Sequence, residues 1–260
     1  MKIAYLGFDL LYPCLEALEK GGCEVMEVFT CTVDNEFEFN SKVTAFAAER
    51  GFPVHTERIT LEDIHRLKES GCEAIFCGAY YHRVPIDHSL PIVNIHPAML
   101  PVGRGSWPMP LWILKGLDEG GVTLHKMEAD FDTGDILLQK SFPVTDEDDL
   151  ETLTEKVCRA GAELCAEAVA NFDFYWKNAR PQGEGEYWPC PTEEDATVTA
   201  ETPIEVMDRV FRAFYGFECY LRTDDEVIGV VGGRYVSESH DLPFGTKTDR
   251  GYAVSGGFIR

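Results

Sequence analysis

The chain has 260 residues, 45% of them apolar and 26% charged, and its 23 Lys+Arg against 45 Asp+Glu leave a formal net charge of −22. That composition is globular, and the length suits one large domain with a small appendage or two modest domains. No two basic residues are adjacent, the tightest pair being Arg66 and Lys68, which weighs against a protein that works chiefly by gripping a polyanion.

The opening run, residues 1–9, is too short and too polar for a signal peptide, and no stretch approaches the roughly 18 apolar residues a membrane span needs. The nine cysteines are odd in number and lack CxxC spacing, so they read as reduced thiols acting as small hydrophobes. A reducing compartment, the cytoplasm, is the expectation.

In chain order, residues 2–6 read as a buried strand and 13–20 as a helix with Pro13 in its first turn and Gly21-Gly22 as its stop. A strand over 24–31 follows, then a helix over 41–50 closed by Gly51, an extended piece at 53–55 and a helix over 61–70 closed by Gly71. Residues 74–77 and 92–95 supply two more apolar strands. Strands alternating with helices of this length predict an α/β fold: an open, mostly parallel, Rossmann-like sheet with helices on both faces. Beyond residue 120 a strand pair at 122–127 and 136–144 encloses an acidic loop. A long helix follows, with Thr145 as its N-cap, Asp146, Glu147, Asp148 and Asp149 at its positive end, and apolar spacing continuing to Phe172. Residues rich in Gly, Pro and acid then read as a linker, followed by a helix near 203–214 and short strands at 217–221, 226–231 and 252–254. The expected division is a catalytic domain over 1–180, a linker over 181–195, and a small β-rich, OB-like subdomain over 196–260.

In an open α/β sheet the ligand lies beyond the carboxyl ends of the strands. After the first strand only Gly7 appears, followed by Phe8-Asp9-Leu10-Leu11, so neither GxGxxG nor GxxxxGK[ST] is present and a dinucleotide oxidoreductase or NTPase is disfavoured. The strand over 92–95 runs into Asn94-Ile95-His96, whose alternation puts Asn94 and His96 on one side, and then into a loop with two Pro and two Gly. A carboxylate from the acidic loop 128–135 could reach His96 if the strand ends are neighbours. An amide donor, an imidazole and a carboxylate together make an acid–base kit. The same residues also read as a turn cap, a satisfied histidine and solvated acids, and a metal site from His96, His125 and Asp132 is a further alternative without the usual short ligand spacing.

The pattern Asn94-x-His96-x-x-x-Leu100-Pro101-x-x-Arg104-Gly105, then Gly121-Val122-Thr123-x-His125-x-Met127 and Asp132-x-Gly134-Asp135, resembles the folate-dependent formyltransferases, a family that includes methionyl-tRNA, glycinamide ribonucleotide and amino-sugar formyltransferases. The resemblance covers residues 1–180. Within the family, residues 47–54 and Ile75-Phe76-x-x-x-Tyr80-Tyr81 are most similar to the branch acting on UDP-4-amino-4-deoxy-L-arabinose, although Ser106 stands where that enzyme has Arg. The resemblance implies transfer of a formyl group from 10-formyltetrahydrofolate to a primary amine, with no metal. It implies Asn94 as oxyanion donor, His96 sharing that role and carrying a proton to the leaving folate nitrogen, and Asp132 holding His96 and helping to deprotonate the amine. It further implies folate contacts at Arg83, Val84, Pro85, Ser106, Glu128, Ala129, Asp130, Phe131 and Asp132.

Relatives that act on tRNA carry a basic insertion where this chain has Asp34-Asn35-Glu36-Phe37-Glu38. A small amine, above all a nucleotide-linked amino sugar, is therefore the expected acceptor, with initiator tRNA as the alternative and a non-catalytic folate-binding module as a third reading. A homodimer is compatible with the family.

Overall fold

The computed structural model describes residues 1–33, 39–231 and 233–260. The acidic segment 34–38, invoked above against tRNA, lies outside the described residues. The chain divides into two compact units, one made of Met1–Arg104, Gly121–Ser141 and Lys156–Tyr187, the other of Gly105–Gly120, Phe142–Glu155 and Trp188–Arg260.

The elements, in chain order, are β1 (Lys2–Gly7), α1 (Tyr12–Lys20), β2 (Glu24–Phe29), α2 (Ser41–Arg50), β3 (Val54–His55), α3 (Leu61–Glu69), β4 (Ala74–Gly78), β5 (Ile92–His96), β6 (Val102–Arg104), α4 (Met109–Leu114), β7 (Glu119–Lys126), β8 (Ile136–Pro143), α5 (Leu150–Ala170) and α6 (Phe172–Lys177). They continue with β9 (Glu186–Tyr187), β10 (Thr197–Val198), α7 (Ile204–Ala213), β11 (Glu218–Arg222), β12 (Val227–Val231), β13 (Tyr235–Ser237), β14 (Lys247–Thr248), β15 (Gly251–Val254) and β16 (Gly257–Ile259). The main sheet has the order β3-β2-β1-β4-β5-β7-β8. Its strands β1 to β5 are parallel, and β7 runs antiparallel to β5. The expected mixed α/β fold is the one observed.

The central strands are apolar because both of their faces are covered: every residue of β4 is buried. On one face Ala4, Leu6, Ile75, Cys77 and Ile92 meet Ile64 and Leu67 of α3, with Val84 and Leu90 closing the layer. Each Leu, Ile or Val side chain among them, removed from water, contributes about 1.5–3 kcal/mol. The helix α3 begins where expected because Thr60 and Asp63 form a reciprocal capping box. All nine cysteines are free thiols and seven are buried, as small hydrophobes should be. Among the described residues no helix is long and apolar enough to cross a membrane.

The start of α5 differs from the sequence expectation. Thr145 is not its N-cap: its backbone N and Oγ1 donate to Asp148 Oδ2 at 2.8 and 3.0 Å, closing a separate turn. Asp149 caps instead, its Oδ1 accepting from Thr152 N at 3.0 Å while its own N–H donates to Thr152 Oγ1 at 2.9 Å. A carboxylate at the cap position accepts from the exposed N–H groups better than a hydroxyl four residues upstream can. Asp148 and Asp149 are consequently buried, at 4% and 1% exposure, and are not a solvated charged face. The apolar spacing to Phe172 is also split, with α5 ending at Ala170 and α6 starting after Asn171.

Ordered pairing leads into the stretch read as a linker and continues within it. Arg180 and Ile136 exchange backbone hydrogen bonds at 2.8 and 2.9 Å, and β9 pairs with β6. In the second unit two small sheets form, β10-β11-β12 and β13-β16-β15-β14, with Met207, Val210 and Phe211 of α7 buried.

Candidate active site

Alternation along β5 sends Ile92, Asn94 and His96 to one face. The antiparallel register of β7 sets His125 opposite Asn94 and Thr123 opposite His96. Thr123 then pins the loop after β5, its Oγ1 donating to Ala98 O at 2.6 Å and accepting from Leu100 N at 3.2 Å. Gln139 adds a bond from Nε2 to Leu100 O at 2.7 Å. The loop leads to Gly103, whose φ of +81° is left-handed backbone that glycine adopts without a Cβ clash. That turn aims the Gly103 carbonyl at His96, which donates from Nε2 at 2.8 Å.

From the other side, the loop after β7 delivers Asp132, itself at a φ of +55°. Aspartate is among the few L residues that tolerate this region. Its Oδ1 lies 3.2 Å from Asn94 Nδ2, 3.6 Å from His96 Nδ1 and 3.5 Å from His125 Nε2. Three side chains thus converge on one carboxylate oxygen. Asp132 and His96 do not share a short hydrogen bond; the shortest described side-chain contact of Oδ1 in this group is with Asn94.

The hydrogen positions follow from the partners. His125 Nδ1 is 2.7 Å from the Lys126 carbonyl, which can only accept, so Nδ1 carries a proton and, in that tautomer, Nε2 carries a lone pair. That lone pair takes a hydrogen from Asn94 Nδ2 at 3.1 Å. Both hydrogens of the Asn94 amide are therefore engaged, one by His125 and one by Asp132. Flipping the amide would set its oxygen against a carboxylate and a lone pair. By the same logic His96 holds its proton on Nε2 and leaves Nδ1 bare toward Asp132. Burial drives the His96 pKa below its ordinary value, and His125 pushes the same way, while Asp132 and the Gly103 carbonyl offset part of this. His96 is thus a neutral base at neutral pH, 4% exposed. Cys77, under the same sheet end, is pushed up to about 12 by burial first and by Asp132 in addition, and stays a thiol.

The residues expected to meet folate are only partly drawn together. Arg83 donates from Nη2 to Ala129 O at 2.6 Å, and its guanidinium lies 5.9 Å from the Phe131 ring. Phe131 is 65% exposed. Glu128 joins Ile86, His88, Leu90, Ile92 and Met127 around a cavity of about 220 Å³. Val84 instead turns into the core. Asp130 accepts from Thr133 Oγ1 through its carbonyl at 3.1 Å and is exposed. Pro85 is half-buried, and Ser106 is exposed and belongs to the second unit. His125 entered the sequence reading as part of the family pattern and as a metal alternative, with no role of its own; among the described residues no group of three or more His, Cys, Asp or Glu is arranged to hold a metal ion. Its actual partners, Asn94 and the Lys126 carbonyl, depend on cross-strand register, which the spacing alone does not disclose.

The chain matches the formyl transferase family over residues 1–169 and belongs to that family. It is 33% identical over 175 residues to methionyl-tRNA formyltransferase of Ehrlichia ruminantium, an alignment covering 65% of this chain and 57% of that protein. The chain thus spans a little over half the length of the first of these relatives. In three dimensions it is similar to a sugar N-formyltransferase from a Shewanella species, with a TM-score of 0.69 at 15% identity, covering 92% of this chain and 99% of that one. It is also similar to HypX from Aquifex aeolicus in complex with tetrahydrofolic acid, with a TM-score of 0.70 at 18% identity over 100% of this chain and 43% of that one. At these identities the two structures speak for the fold.

Proposed function

We propose that the chain transfers a formyl group from 10-formyltetrahydrofolate to the primary amine of a small acceptor, above all a nucleotide-linked amino sugar. The observation that carries this reading is the convergence of Asn94, a neutral His96 with a bare Nδ1, and Asp132 at the carboxyl end of β5. The lining fits the co-substrate: a cavity beside Ile92 with Leu90, Met127 and Trp176 as apolar walls and Glu128, His88 and Lys126 as polar groups is suited to a heteroaromatic ring with amino groups. When bound, the folate supplies a formyl carbon whose oxygen gains negative charge as an amine adds. The Asn94 amide donates to that oxygen. His96 Nδ1 and Asp132 receive and hold the proton an attacking ammonium must shed, because only the free amine is a nucleophile. Once protonated, His96 shares its Nδ1 hydrogen with Asp132 and can release it to a leaving nitrogen. Arg83 and Phe131 offer a cation and an exposed ring for the outer part of the folate.

The charge of −22 without adjacent basic residues supports a small acceptor. The likeness to methionyl-tRNA formyltransferase favours initiator tRNA as the second reading. Folate release measured against a panel of nucleotide-linked 3-amino and 4-amino sugars and against charged initiator tRNA decides between them. Release with an amino sugar supports the first reading, release with tRNA alone the second, and folate binding without acceptor-dependent release a non-catalytic module.

A further inference from the structure

Gln182, in the segment after α6, bonds to both loops of the candidate site, and Arg104 also donates from Nη2 to Gly183 O at 3.2 Å. Gln182 Nε2 donates to Asp132 O at 2.9 Å and to Gly134 O at 2.6 Å, so both amide hydrogens go to the loop that carries the carboxylate. Its Oε1 accepts from Arg104 Nε at 3.2 Å and Nη2 at 2.9 Å. Arg104 directly follows Gly103, whose carbonyl fixes the proton of His96 on Nε2. The segment is seated by backbone as well: Glu186 N donates to Pro101 O at 3.0 Å. At Gly185 a Cβ would lie 2.4 Å from Pro101 O and 2.7 Å from Arg104 Cζ, so no side chain is accommodated there without a shift.

We infer that Gln182 and Arg104 are positioning residues for the reaction: through the Asp132 backbone on one side and Gly103 on the other, they set the distance between Asp132 Oδ1 and His96 Nδ1. The two contacts of Gln182 are of opposite polarity, donor toward the carbonyls and acceptor toward the guanidinium, which an amide satisfies and a carboxylate does not. The inference rests on the formyl-transfer reading for its kinetic consequence but not for its geometry.

Replacing Gln182 lets the left-handed Asp132 turn relax and moves its carboxylate relative to His96. The groups acting on His96 are Asp132 from the loop, His125 from β7 and the Gly103 carbonyl from β6; Cys77 of β4 remains neutral. Asp132 raises the His96 pKa, so its retreat lowers the midpoint further. Q182L is therefore expected to lose about 10- to 100-fold in kcat with little change in the KM for folate, and to move the acid limb of kcat/KM to lower pH. Q182E keeps Arg104 as a partner but repels both carbonyls; its kcat is expected to fall as in Q182L, while its own negative charge pulls the His96 midpoint up against the retreat of Asp132, and R104K is expected to fall between wild type and Q182L.

The test is the imidazole ¹⁵N titration of His96 in the wild type, Q182L, Q182E and R104K, with folding checked by circular dichroism, alongside the pH profile. A lower His96 midpoint in Q182L, with R104K between it and the wild type, supports the inference. A wild-type midpoint in folded Q182L, or a wild-type kcat in folded Q182E, overturns it, and if Q182L does not fold, the midpoint in R104K and the kcat of Q182E decide. The titration does not depend on turnover, so an absence of formyl transfer in the wild type defeats the proposed function while the titration still judges the brace.

Discussion

Among the described residues, the carboxylates before α5 and the one at the candidate site are all little exposed, and they are built on opposite plans. Asp148 and Asp149, before α5, accept from backbone N–H groups and hydroxyls, and Asp149 also pairs with Arg234 while the backbone of Asp148 accepts from Arg212. Asp132, 10% exposed in its side chain, faces an amide at 3.2 Å and two imidazole nitrogens at 3.5 and 3.6 Å. The first arrangement surrounds charge with fixed donors, the usual condition for burying it for structure. The second brings charge to rings that can gain or lose a proton, so it is suited to chemistry. Burial alone does not distinguish them; the nature of the partners does.

The largest expected separation comes from Asp132→Asn, which keeps shape but removes the charge. Formyl transfer should fall by about 10²–10⁴ with the fold intact by circular dichroism, in the range of a lost acid–base group. Near wild-type turnover would place Asp132 with the structural set. Asn94→Ala should lose about 10²–10³ in kcat, as for other oxyanion donors. Wild-type kcat in that variant would remove Asn94 from the reaction.

Next in size is the pH response of His96. Its folded pKa lies below the ordinary value of 6.5, so between the two values the unfolded chain binds more protons than the folded one. Stability from this group is present above about 6.5 and lost as pH falls through the folded pKa. The neutral base also persists below 6.5, and the acid limb of kcat/KM should lie there; a limb at or above that value would contradict a neutral His96. The smallest effect is that of Asp149→Ala. Loss of the cap should cost about 1–2 kcal/mol, a fall of several degrees in Tm, with kcat near wild type at a temperature where the variant is folded. A collapse of kcat in the folded variant would erase the contrast between the two sets.

The main sheet was legible because its strands are short apolar runs punctuated by glycines, and Asn94 and His96 could be placed because alternation along one strand needs no partner. What failed to show had partners far along the chain. The Asp149 cap competes with Thr145 for the same helix start, and only the observed turn over 145–148 separates them. Strands such as β14, made of Lys247-Thr248, carry no apolar signal. Gln182 sits among Gly, Pro and acid, where pattern reading sees a linker, because its bonds go to the main-chain carbonyls of Asp132 and Gly134 across 50 and 48 residues. His125 was visible as a residue type, but its tautomer is fixed by the carbonyl of its own neighbour Lys126.

One detail of the site bears on how it discriminates. Both hydrogens of the Asn94 amide are already committed, to His125 Nε2 and to Asp132 Oδ1. A neutral carbonyl is too weak an acceptor to displace either, whereas an oxygen that has taken on negative charge outcompetes a 3.1 Å bond to an imidazole lone pair. On the proposed reaction, Asn94 then gives little to the bound ground state and its full strength to the charged one. Such a donor raises kcat without tightening the Michaelis complex, and its latch is released only by the charge that the reaction itself creates.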